Sequence, residues 1–281
     1  MNGSLAKLLQ RHLTSTQLRS VPSSYDLLGS LLIFSDFPAT LEPKQKEIAQ
    51  AFLEFHPAIT TVLKKIKPYS GNYRLPKYRI LAGKRSKQTL FKEYGLTLLI
   101  HPEKMYFSPR LGNERMRIAK LVGKGERVLV MFSGCGIYPL ILSKHSLAKE
   151  IVGVEINPAA YQYAQKNILL NKVRNVAIYE GDVRKVVPRL GRFDRIVMPL
   201  PKDAGSFLDV AFDALNPGGI VHYYTFWNKQ DGVRPEDGIA ARCSSYAVPY
   251  TILTTVRCGA YGPGRSRYCI DVKIRQRKGL H

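Results

Sequence analysis

Two glycines stand after an apolar run, in a spacing that occurs in nucleotide-binding turns. Gly134 and Gly136 follow the β-branched run 128–132. Glycine permits the sharp backbone bend of such a turn, often with positive φ, and leaves no Cβ to keep a ligand away. Two glycines in this spacing also occur in buried turns for geometric reasons alone, so the turn needs support from elsewhere in the chain.

Two acidic residues further along provide that support. Glu155 ends the second predicted strand, nineteen residues after Gly136, and Asp182 follows the third. At the carboxyl end of a strand in an open α/β sheet, a carboxylate can accept hydrogen bonds from both hydroxyls of a ribose. Asp182 is placed to accept one from an adenine amino group, although either acid could instead cap the helix that follows it. Together the three strand ends predict a site for an adenosine-containing cofactor.

Absent motifs narrow the identity of this cofactor. Pro139 stands where a dinucleotide fingerprint needs its third glycine, and no Walker lysine follows the turn. The four cysteines lack the spacing of a zinc site or of a disulfide framework. We therefore expect no metal and a reduced, cytoplasmic protein. No stretch of the sequence reaches the ~20 apolar residues of a membrane span.

The elements that must position these residues alternate from Arg127 onward. We predict strands at 128–132, 150–156, 176–179, 192–198 and 219–226, and helices at 137–148, 158–170 and 203–215. This alternation predicts a doubly wound α/β fold with a largely parallel sheet. Runs at 250–256 and 268–274, separated by a glycine-rich turn, predict an antiparallel hairpin on the sheet edge.

The first hundred residues differ in pattern and carry many cations. Here we predict helices at 4–19 and 44–55 and strands at 27–34, 60–66 and 96–100. Between 64 and 92, lysine and arginine alternate with tyrosine and phenylalanine. Cations suit phosphates and aromatic rings suit unpaired bases, but a solvated basic edge with buried tyrosines would have the same composition.

The charge of the whole chain favours the nucleic-acid interpretation. Its 43 Lys and Arg against 21 Asp and Glu give a formal net charge of +22. A hyperthermophile's surface would add glutamate together with lysine, whereas this excess is one-sided. Because neutralising phosphates releases counterions, a polyanion is the natural partner.

Several motifs carry a resemblance to a known family: Tyr25–Gly29, Tyr106–Arg115, Met131–Gly136, Glu155–Pro158, Leu200–Lys202 and His222–Thr225. The resemblance covers most of the chain from Tyr25 onward. The arrangement of the glycine turn and the two acids, with Asn216–Tyr224 leading through the fifth strand and the edge hairpin after it, resembles the class I S-adenosylmethionine methyltransferases. More closely, it resembles the archaeal and eukaryotic tRNA guanine-37 N1-methyltransferases, which act on the guanosine 3′ of the anticodon. The resemblance implies a Rossmann-like S-adenosylmethionine domain preceded by a smaller basic α+β RNA-recognition domain.

The resemblance also implies the domain limits and the partner. We expect an N-terminal helix and linker at 1–24, the RNA-recognition domain at 25–104 and the catalytic domain at 105–281. The expected partner is the anticodon stem-loop region of tRNA. We also expect the protein to be a monomer that does not associate with a membrane. An accessory domain often precedes the position of Tyr25 in this family, and its absence leads us to expect weak recognition of the outer corner of the tRNA.

Individual roles follow from the resemblance. Glu114 matches the family's general base, and Arg74 is the best match to the arginine that holds guanine O6. Judged only by its position near a helix start, Glu114 would be a capping acid. We expect the cofactor to be bound by Tyr106, Phe132, Gly134, Gly136, Glu155, Ile156, Asp182, Val183, Pro199 and Pro201. We expect the tRNA to contact Lys77, Arg79, Arg85, Arg110 and Pro199.

The implied reaction is chemically consistent. Guanine N1 is a weak nucleophile while it is protonated, so a carboxylate must take the proton as the methyl group transfers. A cation near O6 stabilises the charge that develops there. The electrophile is the methyl group of a sulfonium, which needs no metal.

Three residues depart from the family pattern. Val130 stands where an acid usually precedes the glycine turn, and Glu155 replaces a common aspartate. Pro199 replaces the asparagine of an Asn-Leu-Pro motif, which removes a side-chain amide and a backbone N–H. The resulting Pro-Leu-Pro resembles a bifunctional archaeal subgroup that also methylates C7 of 4-demethylwyosine in wyosine biosynthesis. Both activities stay open.

Two other functions fit the same residues. A wyosine-pathway enzyme could transfer the aminocarboxypropyl group of the same cofactor, although Leu200–Lys202 favours methyl transfer. A non-catalytic RNA-binding protein with a degenerate cofactor fold would explain Val130 and Pro199. The product mass separates the first alternative from methyl transfer. Tight S-adenosylmethionine binding that Glu155→Ala abolishes would exclude the second.

Overall fold

The computed structural model describes residues 3–70, 73, 75–200, 202, 204–262 and 264–275. The chain divides into two compact units, Met1–Phe107 and Ser108–His281. Over the described residues, no helix has the length and apolar character to cross a membrane.

The first unit is of mixed α+β composition. Its described helices and strands are α1 (Gly3–Gln10), α2 (Ser15–Ser20), β1 (Asp26–Leu28), β2 (Leu31–Phe34), α3 (Gln45–Phe55), β3 (Thr61–Ser70), β4 (Leu75–Gly83), β5 (Thr89–Glu93) and β6 (Leu96–Ile100). One sheet has the order β1-β2-β3-β4, and β5 pairs with β6 in a separate hairpin. β2 and β3 run parallel, with α3 in the connection between them, whereas the other neighbours are antiparallel.

The core of the first unit includes the N-terminal helix. Leu5 and Leu9 of α1 belong to the same buried cluster as Phe34 of β2 and Phe52 of α3. The separate N-terminal helix and linker that we predicted therefore contribute to this core. The predicted helix 4–19 is also wrong in extent, because the side chain of Thr14 accepts a hydrogen bond from the backbone of a later residue and starts α2 as a new helix.

The predicted strand 27–34 is in fact the hairpin of β1 and β2. Gly29 has a φ of +57° at the turn, and a Cβ at this position would lie 2.2 Å from the carbonyl oxygen of Leu90. Only glycine fits this turn without strain. Apolar residues continue on both sides of the reversal, and this continuity hides the turn in the sequence.

The second unit alternates helices and strands. Its described elements are α4 (Gly112–Leu121), β7 (Arg127–Met131), α5 (Ile137–His145), β8 (Glu150–Glu155), α6 (Pro158–Asn171), β9 (Val176–Glu180), α7 (Val183–Val186), β10 (Phe193–Met198), α8 (Leu208–Asp213), β11 (Leu215–Asn228), α9 (Asp237–Ser245), β12 (Tyr250–Gly262) and β13 (Arg265–Ile274). The predicted helix 203–215 is shorter than expected, and α9 was not predicted from the sequence.

These strands form one sheet in the order β12-β13-β11-β10-β7-β8-β9. β7 to β11 are parallel, and β12 and β13 form an antiparallel hairpin at the edge. The strand order reverses between β7 and β10, and in open α/β sheets ligands bind outside the carboxyl ends of the strands at such a point. The predicted fold class and edge hairpin are confirmed.

Alternate side chains of the strands serve the two faces of this sheet. Tyr223 faces a core that includes Leu208 of α8 and Ile239 of α9. Its neighbour Tyr224 faces the other side, where its hydroxyl accepts a hydrogen bond from Tyr138 of α5 at 3.1 Å. The polar side chains of the site lie on this second side.

The packing of α1 leads to a stability prediction. Leu9→Ala removes a fully buried side chain and should lower the free energy of unfolding by about 2–5 kcal/mol. Lys7→Ala, at an exposed position of the same helix, is the matched control and should change it by less than about 0.5 kcal/mol. Chemical denaturation measures both. Equal, small effects would show that α1 is not part of the core.

Candidate active site

The glycine turn after β7 holds an unusual backbone. Phe132, Gly134 and Gly136 have φ angles of +62°, +58° and +82°. Positive φ is strained for a phenylalanine, and such strain is often found at ligand sites. A Cβ at Gly136 would lie 3.3 Å from the Cβ of Ala164 in α6. The glycine therefore allows the turn to pack closely against α6.

Glu155 holds the glycine turn in place. Its Oε2 accepts a hydrogen bond from Gly134 N at 2.6 Å, and its Oε1 accepts one from Asn157 N at 2.8 Å. Each carboxylate oxygen can accept a further hydrogen bond. The side chain therefore orders the turn and keeps acceptor capacity for the hydroxyls of a ribose.

The environment of Glu155 changes its acidity. Burial raises the pKa of the Glu155 carboxyl above its ordinary value, and the hydrogen bonds from backbone amides oppose that rise. Ile156, directly after it, is 51% exposed. A nucleoside needs a hydrogen-bond acceptor for its ribose hydroxyls and an apolar surface for its base. Glu155 and Ile156 offer these two features side by side.

Asp182 caps α7. Its Oδ1 accepts a hydrogen bond from Arg184 N at 2.8 Å, and the residue is half-buried. The capping alternative is therefore realised, but the carboxylate retains capacity to accept another hydrogen bond. Val183, which follows it, is buried.

The carboxyl ends of four neighbouring strands bring these predicted residues to one edge of the sheet. They are Phe132 after β7, Glu155 and Ile156 at β8, Asp182 after β9 and Pro199 after β10. Phe132 and Pro199 are half-buried. Hydrogen-bond acceptors and apolar surfaces in this arrangement fit an adenosine group.

Glu114 lies in the first turn of α4, but it does not cap that helix, which has no side-chain cap. Both of its oxygens bond to Arg117, at 2.8 Å from Nε and 2.8 Å from Nη2. Tyr224 donates a further hydrogen bond to Oε1 at 2.7 Å. The buried carboxylate is thus held by a bidentate ion pair and a phenol.

Arg117 also connects Glu114 to a chain of polar contacts on the strands of the sheet. Arg117 also bonds to Asp271 of β13, at 2.6 Å from Nη1 to Oδ2 and 3.2 Å from Nη2 to Oδ1. Asp271 lies 2.6 Å from Nδ1 of His222, its direct neighbour on β11. Arg195 bonds to Nε2 of His222 at 2.8 Å and pairs with Glu126.

This geometry fixes the tautomer of His222. A guanidinium can only donate, so Nε2 accepts from Arg195 and Nδ1 donates to Asp271. Burial lowers the pKa of His222, and the imidazole is neutral. Hydrogen bonds from His222 and Arg117 hold the pKa of Asp271 well below its usual range, although burial opposes them.

A cluster with metal-ligand chemistry lies inside this network. Donor atoms of His222, Cys269 and Asp271 all lie within 4.8 Å of one another. However, both nitrogens of His222 are already bonded, and Arg117 occupies both oxygens of Asp271. We therefore assign the cluster to the ion-pair network. The thiols of all four cysteines are free.

Comparisons with known proteins identify the family. Residues 89–248 match the TRM5/TYW2 methyltransferase domain. The chain belongs to the TRM5/TYW2 methyltransferase family. Residues 5–86 match the TYW2 N-terminal domain, a range that includes the helix packed into the first core. The predicted family is confirmed.

Three curated relatives have names that give different activities. The chain is 35% identical over 257 residues to tRNA (guanine(37)-N(1))-methyltransferase Trm5b of Pyrococcus abyssi, covering 91% of this chain and 76% of the relative. It is 31% identical over 226 residues to tRNA 4-demethylwyosine(37)-methyltransferase Taw21 of Saccharolobus solfataricus, covering 80% and 85%. It is 36% identical over 206 residues to a tRNA(Phe) (4-demethylwyosine(37)-C(7)) aminocarboxypropyltransferase of Methanocaldococcus jannaschii, covering 73% and 82%.

Solved structures agree with this assignment. The crystal structure of Trm5b from Pyrococcus abyssi matches 94% of this chain and 79% of its own, with a TM-score of 0.83 at 34% identity. A complex of aTrm5 with tRNALeu matches 98% of this chain and 79% of its own, with a TM-score of 0.81 at 30% identity. The family fold therefore extends over nearly the whole chain.

The other predicted site residues lie in different parts of this family member. Arg110 is exposed in the turn before α4, in the second unit. Arg74 and Pro201 lie outside the described residues. The first unit contains Tyr106, which is 41% exposed, and the cations Lys77, Arg79 and Arg85, which are exposed.

Part of the basic segment 64–92 has a structural role. Lys64 is buried and pairs with Glu42. Lys87 pairs with Glu103 at 2.8 Å, and Tyr78 is buried. Of these residues, only Tyr78 fits the alternative of a solvated edge with buried tyrosines, because Lys64 and Lys87 form ion pairs within the first unit. Lys77 and Arg79 of β4 are exposed.

Sequence reasoning missed the residues that hold Glu114. Arg117, Asp271 and Arg195 were not singled out, and His222 and Tyr224 appeared only within a family motif. One signal was available, because polar residues alternate with Val221 and Tyr223 along β11. Asn167 was also missed, and its Nδ2 donates to the carbonyl of Cys135 in the glycine turn at 3.0 Å.

The raised pKa of Glu155 leads to a binding prediction. Affinity for S-adenosylmethionine should fall as the pH decreases through this raised pKa, because a protonated carboxyl accepts hydrogen bonds less well. Glu155→Gln should bind weakly at every pH. Glu150→Gln, at the opposite end of β8, is the matched control and should keep wild-type affinity. Isothermal titration calorimetry over a pH series measures this, and wild-type affinity in Glu155→Gln would refute the role.

Proposed function

We propose that this chain is an S-adenosylmethionine-dependent tRNA methyltransferase that methylates N1 of the guanosine 3′ of the anticodon, with Glu114 as the general base. The observation that carries the proposal is the buried Glu114 carboxylate, which lies within the family's Ser108–Arg115 motif at the start of α4 and is held by Arg117 and Tyr224. A fixed carboxylate of this kind can accept the N1 proton.

The cofactor would be held at the edge formed by β7, β8, β9 and β10. Glu155 would accept hydrogen bonds from the ribose, and Asp182 would accept one from the adenine amino group. Phe132, Ile156 and Pro199 would supply apolar surface. When bound, S-adenosylmethionine supplies the methyl group as a sulfonium electrophile.

Glu114 would perform the proton transfer. Its burial excludes water, which strengthens electrostatic interactions with the guanine. The bidentate contact to Arg117 fixes the orientation of the carboxylate, so little reorganisation is needed when the proton arrives. Arg74, as the match to the family's arginine, would stabilise charge at O6.

The exposed face of β4 would bind tRNA phosphates. Lys77 and Arg79 alternate on this face, and Lys77 stands directly opposite Lys67 of β3. Like charges in opposite positions destabilise a sheet. A phosphate between them would relieve this repulsion. Arg85 of the first unit and Arg110 of the second would each contact the tRNA as well. We also expect a monomer in the cytoplasm.

A second candidate activity is methylation of C7 of 4-demethylwyosine. Pro199 supports it, because this residue lacks the amide and N–H of the common asparagine and so leaves a differently shaped pocket. The similarity to Taw21 points the same way. A third activity is the transfer of an aminocarboxypropyl group. A single assay of the product mass distinguishes the three activities.

The assay weighs the nucleosides of the product. The protein is incubated with S-adenosylmethionine and either unmodified tRNA-Phe or tRNA carrying 4-demethylwyosine. We expect the mass of one methyl group on guanosine. The same gain on the tricycle would establish the second activity, and the larger mass of an aminocarboxypropyl group would replace the proposal with the third. No mass change on either tRNA would contradict the proposed function.

The same assay includes Glu114→Gln. Methylation of guanosine should fall by about 10²-fold or more, since Gln keeps the shape of the side chain but cannot accept the proton. Binding of S-adenosylmethionine should be unchanged. Glu150→Gln removes one charge far from the site and should retain wild-type turnover. Full turnover in Glu114→Gln would remove Glu114 from the base role.

A further inference from the structure

Asp271 and Glu114 both bond to the guanidinium of Arg117. The proposed mechanism gives Asp271 no role. We propose that Asp271 is a positioning residue that acts on Glu114 through Arg117 and keeps Glu114 reactive as a base. The inference rests on the proposed function, because it takes Glu114 to be the base.

The guanidinium lies between the two carboxylates. Nε and Nη2 of Arg117 donate to Glu114, each at 2.8 Å, while Nη1 and Nη2 donate to Asp271 at 2.6 and 3.2 Å. One planar cation thus bridges an acid on α4 and an acid on β13. Such forked geometry is specific to arginine.

Asp271 is itself fixed from the other side. His222 donates to Oδ1 at 2.6 Å, and Cys269 lies 3.3 Å from the same oxygen. Arg195 holds the far nitrogen of His222 and forms a bidentate pair with Glu126 at 2.6 and 2.9 Å. Asp271 therefore has one orientation and stays ionised.

Several titratable groups face Glu114. They are Arg117 on its own helix, Tyr138 on α5, Tyr224 on β11, Cys258 on β12, and Cys269 and Asp271 on β13. Burial raises the pKa of Cys258 to about 12 and keeps the tyrosines and Cys269 protonated. Arg117 is the cation that bonds to Glu114, and Asp271 is the second anion. Buried Arg115 of α4 is a further cation, which lies over the ring of Tyr138.

The charge balance determines how strongly Glu114 is held. Arg117 divides its attraction between two carboxylates. Without the charge of Asp271, its full attraction would fall on Glu114, and a carboxylate stabilised more strongly takes a proton less readily. Without Arg117, Glu114 would lose its counterion in a buried place and would take a proton more readily.

The test is the pH dependence of the single-turnover rate of tRNA methylation at saturating S-adenosylmethionine. In Asp271→Asn the acid limb should move to lower pH by about one unit, and the plateau rate should fall about threefold, since a weaker base transfers the proton less well. In Arg117→Gln the acid limb should move to higher pH. Asp213→Asn, an exposed position on α8, should reproduce the wild-type curve.

Opposite shifts distinguish the proposal from a structural role. If both variants only lose thermal stability and keep the wild-type acid limb, the proposal is overturned. Asp271→Asn should fold, because Arg117 still pairs with Glu114. If it does not fold, Asp271→Ser removes the same charge with a smaller side chain and carries the same expected shift. Full activity in Glu114→Gln would instead remove Glu114 from the base role, whereas the absence of methyl transfer by the wild-type protein would contradict the proposed function itself.

Discussion

The bidentate ion pair between Glu114 and Arg117 is the interaction on which the catalytic unit depends. Burying two charges is costly unless each is paired and hydrogen-bonded. Here the cost is offset by Asp271, Tyr224 and a chain of contacts that continues to Arg195. Because these partners lie on a helix and three strands, the network ties α4 to the sheet and fixes the position of the proposed base.

A second carboxylate organises the cofactor edge in a simpler way. Glu155 accepts hydrogen bonds from two backbone amides and so joins the turn after β7 to the start of α6. Backbone amides hold this carboxylate, whereas Glu114 is paired with the guanidinium of Arg117. The two acids therefore suit the different tasks that we propose for them: Glu155 orders a loop that would receive the cofactor, and Glu114 is fixed where it would accept a proton.

Local patterns predicted much of the fold. The parallel sheet, Glu155 and Asp182 could be found from the sequence because apolar runs and turns report on neighbouring residues. The hairpin at Gly29 was hidden by apolar residues on both sides, and α9 has only a weak amphipathic pattern. The contact of Arg117 with Asp271 joins residues that are 154 positions apart, and no local spacing reports on such a pair.

The most direct measurement of this account is the distance from the Glu114 carboxylate to guanine N1. It requires a crystal structure of the protein with a tRNA anticodon stem-loop and S-adenosylhomocysteine. We predict a hydrogen-bond distance of about 2.6–3.2 Å, with Arg117 still bridging Glu114 and Asp271. The contradicting result is a guanine that lies beside the cofactor while its N1 is beyond hydrogen-bond distance of Glu114, with the Glu114 carboxylate still bonded only to Arg117 and Tyr224.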